Sequence, residues 1–343
     1  MGVISGAFCV YNDHAMRKFF LILVLFLGVA LVILSFGELQ TILQTLKRAN
    51  FWFVLLALLI QTLWFISVGR MYRSVFHLLG MEDTTRQLTL IAAAVTFVNT
   101  VTPMAGIGGI ALFADAARRR GQPAGKATVA GPLFLLFDQT SFLIVLALGM
   151  IVLFRRNHLD AGEITAAMIL LVVACALAFF LYLGYRSSGR LGSLLARLAV
   201  SANRLLRPVL HRDYFSAERA HQFAQEVGEG LSGLTEKPAS LMEPVYYGLL
   251  GKALLMGVLI CSFLAFDVPF TGGTIIGGFS VGYLFLVVSP TPSGIGVVEG
   301  VMALALTSLR VIWSESVIIT LVYRAITFWF PLAVGAVAFR RLH

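Results

Sequence analysis

The chain has 343 residues, of which 59% are apolar and only 13% are charged. A soluble protein carries about 25% charged residues, so the composition excludes a water-soluble domain and indicates an integral membrane protein. Lys and Arg outnumber Asp and Glu, 26 to 17. In a membrane protein such a surplus collects in cytoplasmic loops, so nucleic acid is not an expected partner.

Eight apolar segments follow one another along the chain and predict an all-α polytopic membrane protein. They cover residues 19–36, 51–69, 88–113, 127–154, 164–185, 244–266, 272–309 and 316–339. The first segment follows Arg17 and Lys18, as the apolar part of a signal peptide would. It is about 27 Å long as a helix, and no small-residue cleavage site follows it, so we expect a retained span.

The third and the seventh segments are each interrupted by a Gly/Pro-rich break. Proline removes a backbone donor and glycine permits unusual dihedrals, so two short helices meeting at an unwound tip, a re-entrant hairpin, are expected at each break. Backbone N–H groups at such tips attract anions, although a packing kink without a ligand is the alternative. The candidate substrate-binding residues of the tips are Pro103, Gly106 and Gly108 in the first break and Pro292, Gly294 and Gly296 in the second.

The two breaks resemble each other, because each contains Gly-Ile-Gly shortly after Thr-Pro. This similarity predicts an inverted repeat of three spans plus one re-entrant hairpin in each half, at about 17–154 and about 164–341, within a single membrane domain that covers 1–343. Three crossings in a half invert the orientation of the next half, an arrangement found in many transporters. If both termini are cytoplasmic, most Lys and Arg residues lie in cytoplasmic segments, as topology rules require.

A polar insert occupies about 186–243. Leucines and other apolar residues fall on one face of its first predicted helix, and Arg190, Arg197 and Arg204 recur on another. This pattern is typical of a helix lying in the cytoplasmic interface with its arginines near anionic headgroups. Packing against other loops is the alternative. A second helix is expected from about Ser216 to Leu234.

Two basic residues lie inside predicted spans, where ionisable groups are costly and usually functional. Arg324, with Tyr323 beside it, could bind a lipid phosphate, could pair with a carboxylate such as Asp138 or Glu299, or could do both. Lys252 could contact the substrate, or its ammonium group could extend to the membrane surface.

Two acidic residues complete the candidate site. Asp138 stands at the position that corresponds to Arg324 in the other half, so we expect a buried pair between these two residues, with a proton relay as the alternative. Glu299 is expected in the first turn of a helix, where the dipole favours a carboxylate, or in contact with the substrate. Histidines lie only in loops or at chain ends, and no nucleophile or phosphate-loop motif occurs, so neither an enzyme nor a cofactor is expected.

The segment Ser289-Pro-Thr-Pro-Ser-Gly-Ile-Gly-Val-Val-Glu299 and the later Leu321-Val-Tyr-Arg-Ala-Ile-Thr-Phe-Trp-Phe-Pro331 resemble the transmembrane region of lysylphosphatidylglycerol synthetases and of their stand-alone relatives. Thr102–Gly109 is similar to the weaker partner motif, and the resemblance covers about 17–341. It implies the flipping of a lipid such as an aminoacylated phospholipid. The soluble synthetic domain is not found before His343, so translocation without synthesis is expected. Asp138 departs from the arginine that the relatives carry, so the resemblance does not fix the headgroup site.

These observations predict translocation of an anionic or lipid-linked headgroup across a bacterial-type cytoplasmic membrane, without ATP. The expected partners are membrane lipids, mainly anionic ones, and homo-oligomerisation stays open. Two alternatives remain: a secondary transporter of a small anionic solute and a non-transporting accessory subunit. A membrane enzyme acting on a lipid phosphate would need clustered carboxylates or histidines at one membrane face, and the sequence does not provide such a cluster.

Overall fold

The computed structural model describes residues 49–101, 112–113, 116, 120–155, 161–210, 217–231, 241–289 and 291–342, and these residues form helices and connecting turns without a strand. The described helices, numbered in chain order, are α1 (Phe51–Leu78), α2 (Thr85–Val101), α3 (Ala124–Arg155), α4 (Ala161–Arg186), α5 (Ser188–Leu210), α6 (Ala217–Leu231), α7 (Met242–Ala265), α8 (Gly272–Val288), α9 (Val297–Ser308), α10 (Trp313–Arg324) and α11 (Phe330–Leu342). A π-helical turn, Ala325–Trp329, joins α10 to α11.

Five helical stretches in the described part of the chain are long and apolar enough to cross a membrane. They are Phe51–Leu78, Lys126–Arg155, Ala167–Arg186, Met242–Ala265 and Trp313–Arg341. The predicted all-α polytopic membrane class is therefore confirmed. The predicted first span, 19–36, lies outside the described residues.

Helix α1 shows how the sequence is suited to a lipid environment. Its exposed face carries large apolar side chains such as Leu59 and Leu63, whereas its buried face carries Ala57, Gln61 and Phe65 at helical spacing. In a bilayer, lipid-facing positions must be apolar, while helix contacts favour small residues and tolerate polar ones. The outer face of this part of the span is thus apolar, unlike the polar outer face of a soluble helix.

The two halves of the chain are joined at the centre by α1 and α7, which run antiparallel. The backbone N–H of Asn50 donates to the carbonyl of Ala265 at 2.8 Å, and Ser67 Oγ donates to the carbonyl of Tyr247 at 3.1 Å. In addition, α2 packs on α11 and α8 packs on α3, so each half contributes a short helix to the last span of the other. These contacts agree with the predicted inverted repeat, which stays a prediction.

The seventh apolar segment is broken, as expected, into the antiparallel pair α8 and α9. Glycines of α8 face large side chains of α9 and of the turn after it: a Cβ on Gly278 would lie 2.5 Å from Leu306, and one on Gly282 would lie 2.9 Å from Met302. The small size of these glycines therefore allows the two helices to approach closely. Whether this hairpin enters a membrane from one side stays a prediction.

The polar insert forms the two predicted helices. α5 is strongly amphipathic and packs on α6, where Leu191 is buried and Gly192 lies against His221. α6 in turn packs on α3, and Thr128 donates a 2.8 Å hydrogen bond to Glu226. Part of the apolar face of α5 is therefore covered by protein, while Leu198 remains 48% exposed.

Candidate functional site

A cavity of about 530 Å³ lies where α2, α3, α8, the break after α8 and the α10–α11 span meet. Its apolar lining includes Trp64, Leu255 and Ile169, and Ile169 is nearly half exposed at the outer surface. Its described polar lining residues are Thr96, Asn99, Thr100, Gln139, Tyr283, Ser293, Tyr323, Arg324 and Thr327. This mixture of polar and apolar lining residues suits an amphiphilic ligand.

The last span places Arg324 at this cavity through a local change of helix type. α10 ends at Arg324, and the next five residues form a π-helical turn before α11 begins at Phe330. Pro331 lacks an N–H group, so the carbonyl four residues earlier, that of Thr327, loses its α-helical donor. Such wide turns are frequent at functional sites. Here the turn brings Tyr323, Arg324, Thr327 and Phe328 into the same lining.

Arg324 is 4% exposed and is held by three contacts. Its Nε donates to Glu299 Oε1 at 2.6 Å, and its Nη2 donates to the carbonyl of Ser293 at 2.9 Å. Its guanidinium carbon lies 4.9 Å from the centre of the Phe328 ring. The guanidinium group is therefore fixed in orientation while it still lines the cavity, as a pre-organised anion site requires.

The hairpin tip provides the acceptors for Arg324. Ser293, in the short 3₁₀ turn Pro292–Gly294, has φ 48°, and Gly294 and Gly296 have φ 69° and 77°. Three left-handed residues within four positions turn the chain sharply, so that the carbonyl of Ser293 points at Arg324. Glu299 lies in the first turn of α9, where the helix dipole favours its charge, and the predicted helical position of Glu299 is confirmed.

A second ion pair, between a buried lysine and a partly exposed aspartate, lies behind the wall of the cavity. Lys252 Nζ is 2.7 Å from Asp138 Oδ1 and donates to the hydroxyl of Tyr283, also at 2.7 Å. Lys252 is 3% exposed, and its ammonium group lies 4.3 Å from the centre of the Tyr283 ring. Tyr283 lines the cavity, so this pair is one side chain away from the cavity space.

One prediction about these charges is wrong, and one of the two alternatives for Lys252 is excluded. Asp138 pairs with Lys252 rather than with Arg324, and Lys252 does not extend to the surface. The reason is a close approach of α7 to α3: a Cβ on Gly248 would collide with Ser141. One turn from this contact, the same approach brings Lys252 within reach of Asp138.

The structure brings together most of the predicted site residues, in two groups. Arg324, Glu299, Gly294 and Gly296 meet at the hairpin tip with Tyr323 nearby, while Lys252 and Asp138 form the second pair. Pro292 begins the 3₁₀ turn of the tip. Pro103, Gly106 and Gly108 lie outside the described residues, in the stretch that follows the end of α2 at Val101.

Sequence reasoning missed several polar lining residues. Gln139 stands in the middle of an apolar span, and Thr96 and Thr100 share one face of α2 at a spacing of four. Tyr283 lies among the glycines of α8. Polar side chains on one face of an apolar helix were the signal that could have found them, because that face cannot point at lipid.

The fold and this site define a class: a polytopic helical membrane protein with a broken-helix hairpin and a cavity that a buried arginine lines. The chain matches the family described as the lysylphosphatidylglycerol synthase TM region over residues 19–335 and belongs to that family. The resemblance seen in the sequence motifs is thus confirmed. A comparison with curated proteins finds no significant match.

Proposed function

We propose that the protein moves phospholipids with an anionic headgroup between the two leaflets of a membrane. The observation that carries the proposal is the position of Arg324, a 4% exposed guanidinium group that lines a cavity inside a membrane-embedded bundle. A buried charge in such a bundle is costly and is usually retained for a ligand or an ion pathway. Glu299 and the carbonyl of Ser293 hold Arg324 in place and leave a lipid phosphate as a fitting third partner.

The cavity also suits a lipid better than a small solute, because a small solute would need a pocket that encloses it fully. A headgroup could occupy the polar part beside Arg324, while the acyl chains remain along apolar residues such as Ile169 and Val288. Membership of a lipid-related membrane family supports this assignment. We further propose that the protein acts without chemical conversion of the lipid, in a bacterial-type cytoplasmic membrane. Both termini are proposed to be cytoplasmic, because that topology places most Lys and Arg residues in cytoplasmic segments.

The test is leaflet transfer in liposomes. Purified protein is reconstituted with phosphatidylglycerol labelled on an acyl chain, and dithionite bleaches the label in the outer leaflet. The wild type is expected to make the inner-leaflet label accessible faster than protein-free liposomes do, and Arg324→Ala is expected to abolish most of that gain. Absence of acceleration by folded wild-type protein would contradict the proposal.

Arg120 supplies a matched control. Its Nε forms an ion pair with Asp83 at 2.8 Å, as the Nε of Arg324 does with Glu299, but Arg120 is outside the cavity lining. Arg120→Ala should therefore transfer lipid at the wild-type rate. An equal loss in Arg120→Ala and Arg324→Ala would show that breaking an ion pair, rather than removing a headgroup contact, causes the effect.

A further inference from the structure

We infer that the protein has a second lipid site, a pocket at one end of α2 and α11 that binds the phosphate group of an anionic phospholipid in the adjoining leaflet. This pocket, here called the arginine pocket, has a volume of about 550 Å³. Its described lining residues are Thr84, Arg86, Gln87, Leu90 and Arg341. None of them lines the cavity that contains Arg324, so the site does not depend on the proposed function.

The arginine pocket lies where α2 begins and α11 ends, two helices that pack on each other. The Arg324 cavity is lined farther along the same helices, by Thr96 of α2 and by Pro331 of α11. On each helix the pocket and the cavity are about ten residues apart, which corresponds to about 15 Å. This distance is about half the thickness of the hydrocarbon core of a bilayer. With the Arg324 cavity near the midplane, the arginine pocket lies at the level of the lipid headgroups.

Both arginines of the pocket are available to an anion. Arg86 and Arg341 are exposed, and neither forms an ion pair or a side-chain hydrogen bond in the described part of the chain. Two acidic side chains precede α2. Asp83 is bound by Arg120 at 2.8 Å, and Glu82 is exposed and outside the pocket lining. The pocket therefore carries two positive charges without a protein counter-ion among the described residues, and guanidinium groups bind phosphate oxygens through paired hydrogen bonds.

The neutral polar residues of the pocket add hydrogen-bond donors. The side-chain carbonyl of Gln87 accepts a hydrogen bond from Arg120, so the amide NH₂ group of Gln87 remains as a donor. Thr84 contributes a hydroxyl group to the same lining. A phosphate group offers only acceptor oxygens, so donors beside two guanidinium groups complement it.

The apolar residues around the pocket indicate a lipid and not a soluble anion. Leu90 lines the pocket one helical turn from Arg86, on the same face of α2. Val337 lies one turn from Arg341 on α11 and is 56% exposed. On both helices the apolar residue lies on the side of the arginine toward the Arg324 cavity, that is, toward the membrane interior. A phospholipid matches this order, with its phosphate at the arginines and its acyl chains along the apolar residues.

Native mass spectrometry of the full chain in an uncharged detergent tests the pocket. The fraction of protein with bound phosphatidylglycerol is measured at increasing lipid concentration for the wild type and for Arg86→Gln/Arg341→Gln. The variant should bind one lipid molecule per chain about thirtyfold more weakly, which corresponds to about 1 kcal/mol for each arginine. Because both side chains are exposed and unpaired, the variant should keep the wild-type melting temperature. Unchanged lipid binding by the variant would overturn the inference.

Arg340 provides the matched control, because it adjoins Arg341, is also exposed and is outside the described pocket lining. Arg340→Gln removes the same charge from the same end of α11 and should leave the lipid affinity nearly unchanged. An equal loss of affinity in Arg340→Gln and Arg341→Gln would contradict the pocket, because it would show attraction to a basic surface without a defined site.

Two further ligands separate the phosphate from the acyl chains. Glycerol phosphate carries the phosphate alone, and diacylglycerol carries the same acyl chains without a phosphate. Each should bind to the wild type at least about tenfold more weakly than phosphatidylglycerol does, a difference of about 1.4 kcal/mol. Equal binding of glycerol phosphate would overturn the assignment to a lipid in favour of a soluble anion. Equal binding of diacylglycerol would show that the arginines do not contact the ligand.

Discussion

Arg324 Nε lies 2.6 Å from Glu299 Oε1, and this contact ties the last span to the returning helix of the hairpin. The two side chains are 5% and 14% exposed, so the pair is largely shielded from solvent. An ion pair in such a place fixes geometry more than it adds stability, since desolvation offsets most of the attraction. Its role is therefore best understood as holding a cation in the cavity wall.

Removing one partner of this pair should destabilise the protein strongly. Arg324→Leu or Glu299→Leu leaves an uncompensated buried charge and should lower the free energy of unfolding by about 3–5 kcal/mol. The double variant should lose much less than the sum, because both charges are gone. Thermal unfolding in detergent measures this coupling. Additive losses in the double variant would mean that the two side chains do not interact.

The Lys252–Asp138 pair should show the same effect to a smaller extent, because Asp138 is more exposed than Glu299. Lys252→Met should destabilise by about 1–3 kcal/mol, because it leaves the Asp138 carboxylate, whose side chain is only 23% exposed, without its partner. Tyr283→Phe removes one hydrogen bond but keeps the ring beneath the ammonium group, so it should cost only about 1 kcal/mol. Unfolding in detergent ranks these variants by their free energy of unfolding. A larger loss of stability in Tyr283→Phe than in Lys252→Met would contradict the assigned contacts.

The packing of α11 on α2 depends on Gly335. A Cβ at this position would lie 2.5 Å from the backbone carbonyl oxygen of Ala93, an atom that cannot move without the helix. Gly335→Ala should therefore lower stability by about 1–3 kcal/mol through overpacking. The matched control is Gly300→Ala in α9, where a Cβ meets nothing within 4 Å and alanine is the better helix former. Similar melting temperatures for the two variants would contradict the described α2–α11 contact.

The backbone conformation of the hairpin tip predicts stability changes of opposite sign for two substitutions. Ser293 has φ 48°, a left-handed conformation that costs a non-glycine residue about 1–2 kcal/mol, so Ser293→Gly should raise stability. Gly296, with φ 77° and open space around it, should lose about 1–2 kcal/mol on conversion to alanine through backbone strain alone. Melting temperatures in detergent test both signs together. A gain in Gly296→Ala would show that the tip does not have this backbone conformation.

The parts of the site that sequence predicted are those with local causes. The prolines and glycines of the seventh apolar segment predicted the break at the correct place. The position of Glu299 just after that break predicted that Glu299 lies in the first turn of a helix. The partners of the buried charges could not be predicted in the same way. Whether Asp138 meets Lys252 or Arg324 depends on how closely α7 approaches α3, and Gly248 sets that distance through a contact far away in sequence.

Two further features depend on the cavity as a whole. Pro331 predicts a disturbed helix after Arg324, but it does not predict that the disturbance is a π-helical turn. Gln139 and the threonines of α2 become candidates only when their helices are known to face one space. The inverted repeat, the re-entry of the hairpins and the first tip at Pro103, Gly106 and Gly108 stay predictions.

The central claim, that Arg324 contacts a lipid headgroup on its way across the membrane, is tested most directly with the double variant Arg324→Leu/Glu299→Leu. This variant removes the cation without stranding a buried charge, so it separates a loss of stability from a loss of transport. The account predicts folded protein that transfers labelled phosphatidylglycerol no faster than protein-free liposomes do. Transfer at the wild-type rate by this variant would contradict the account.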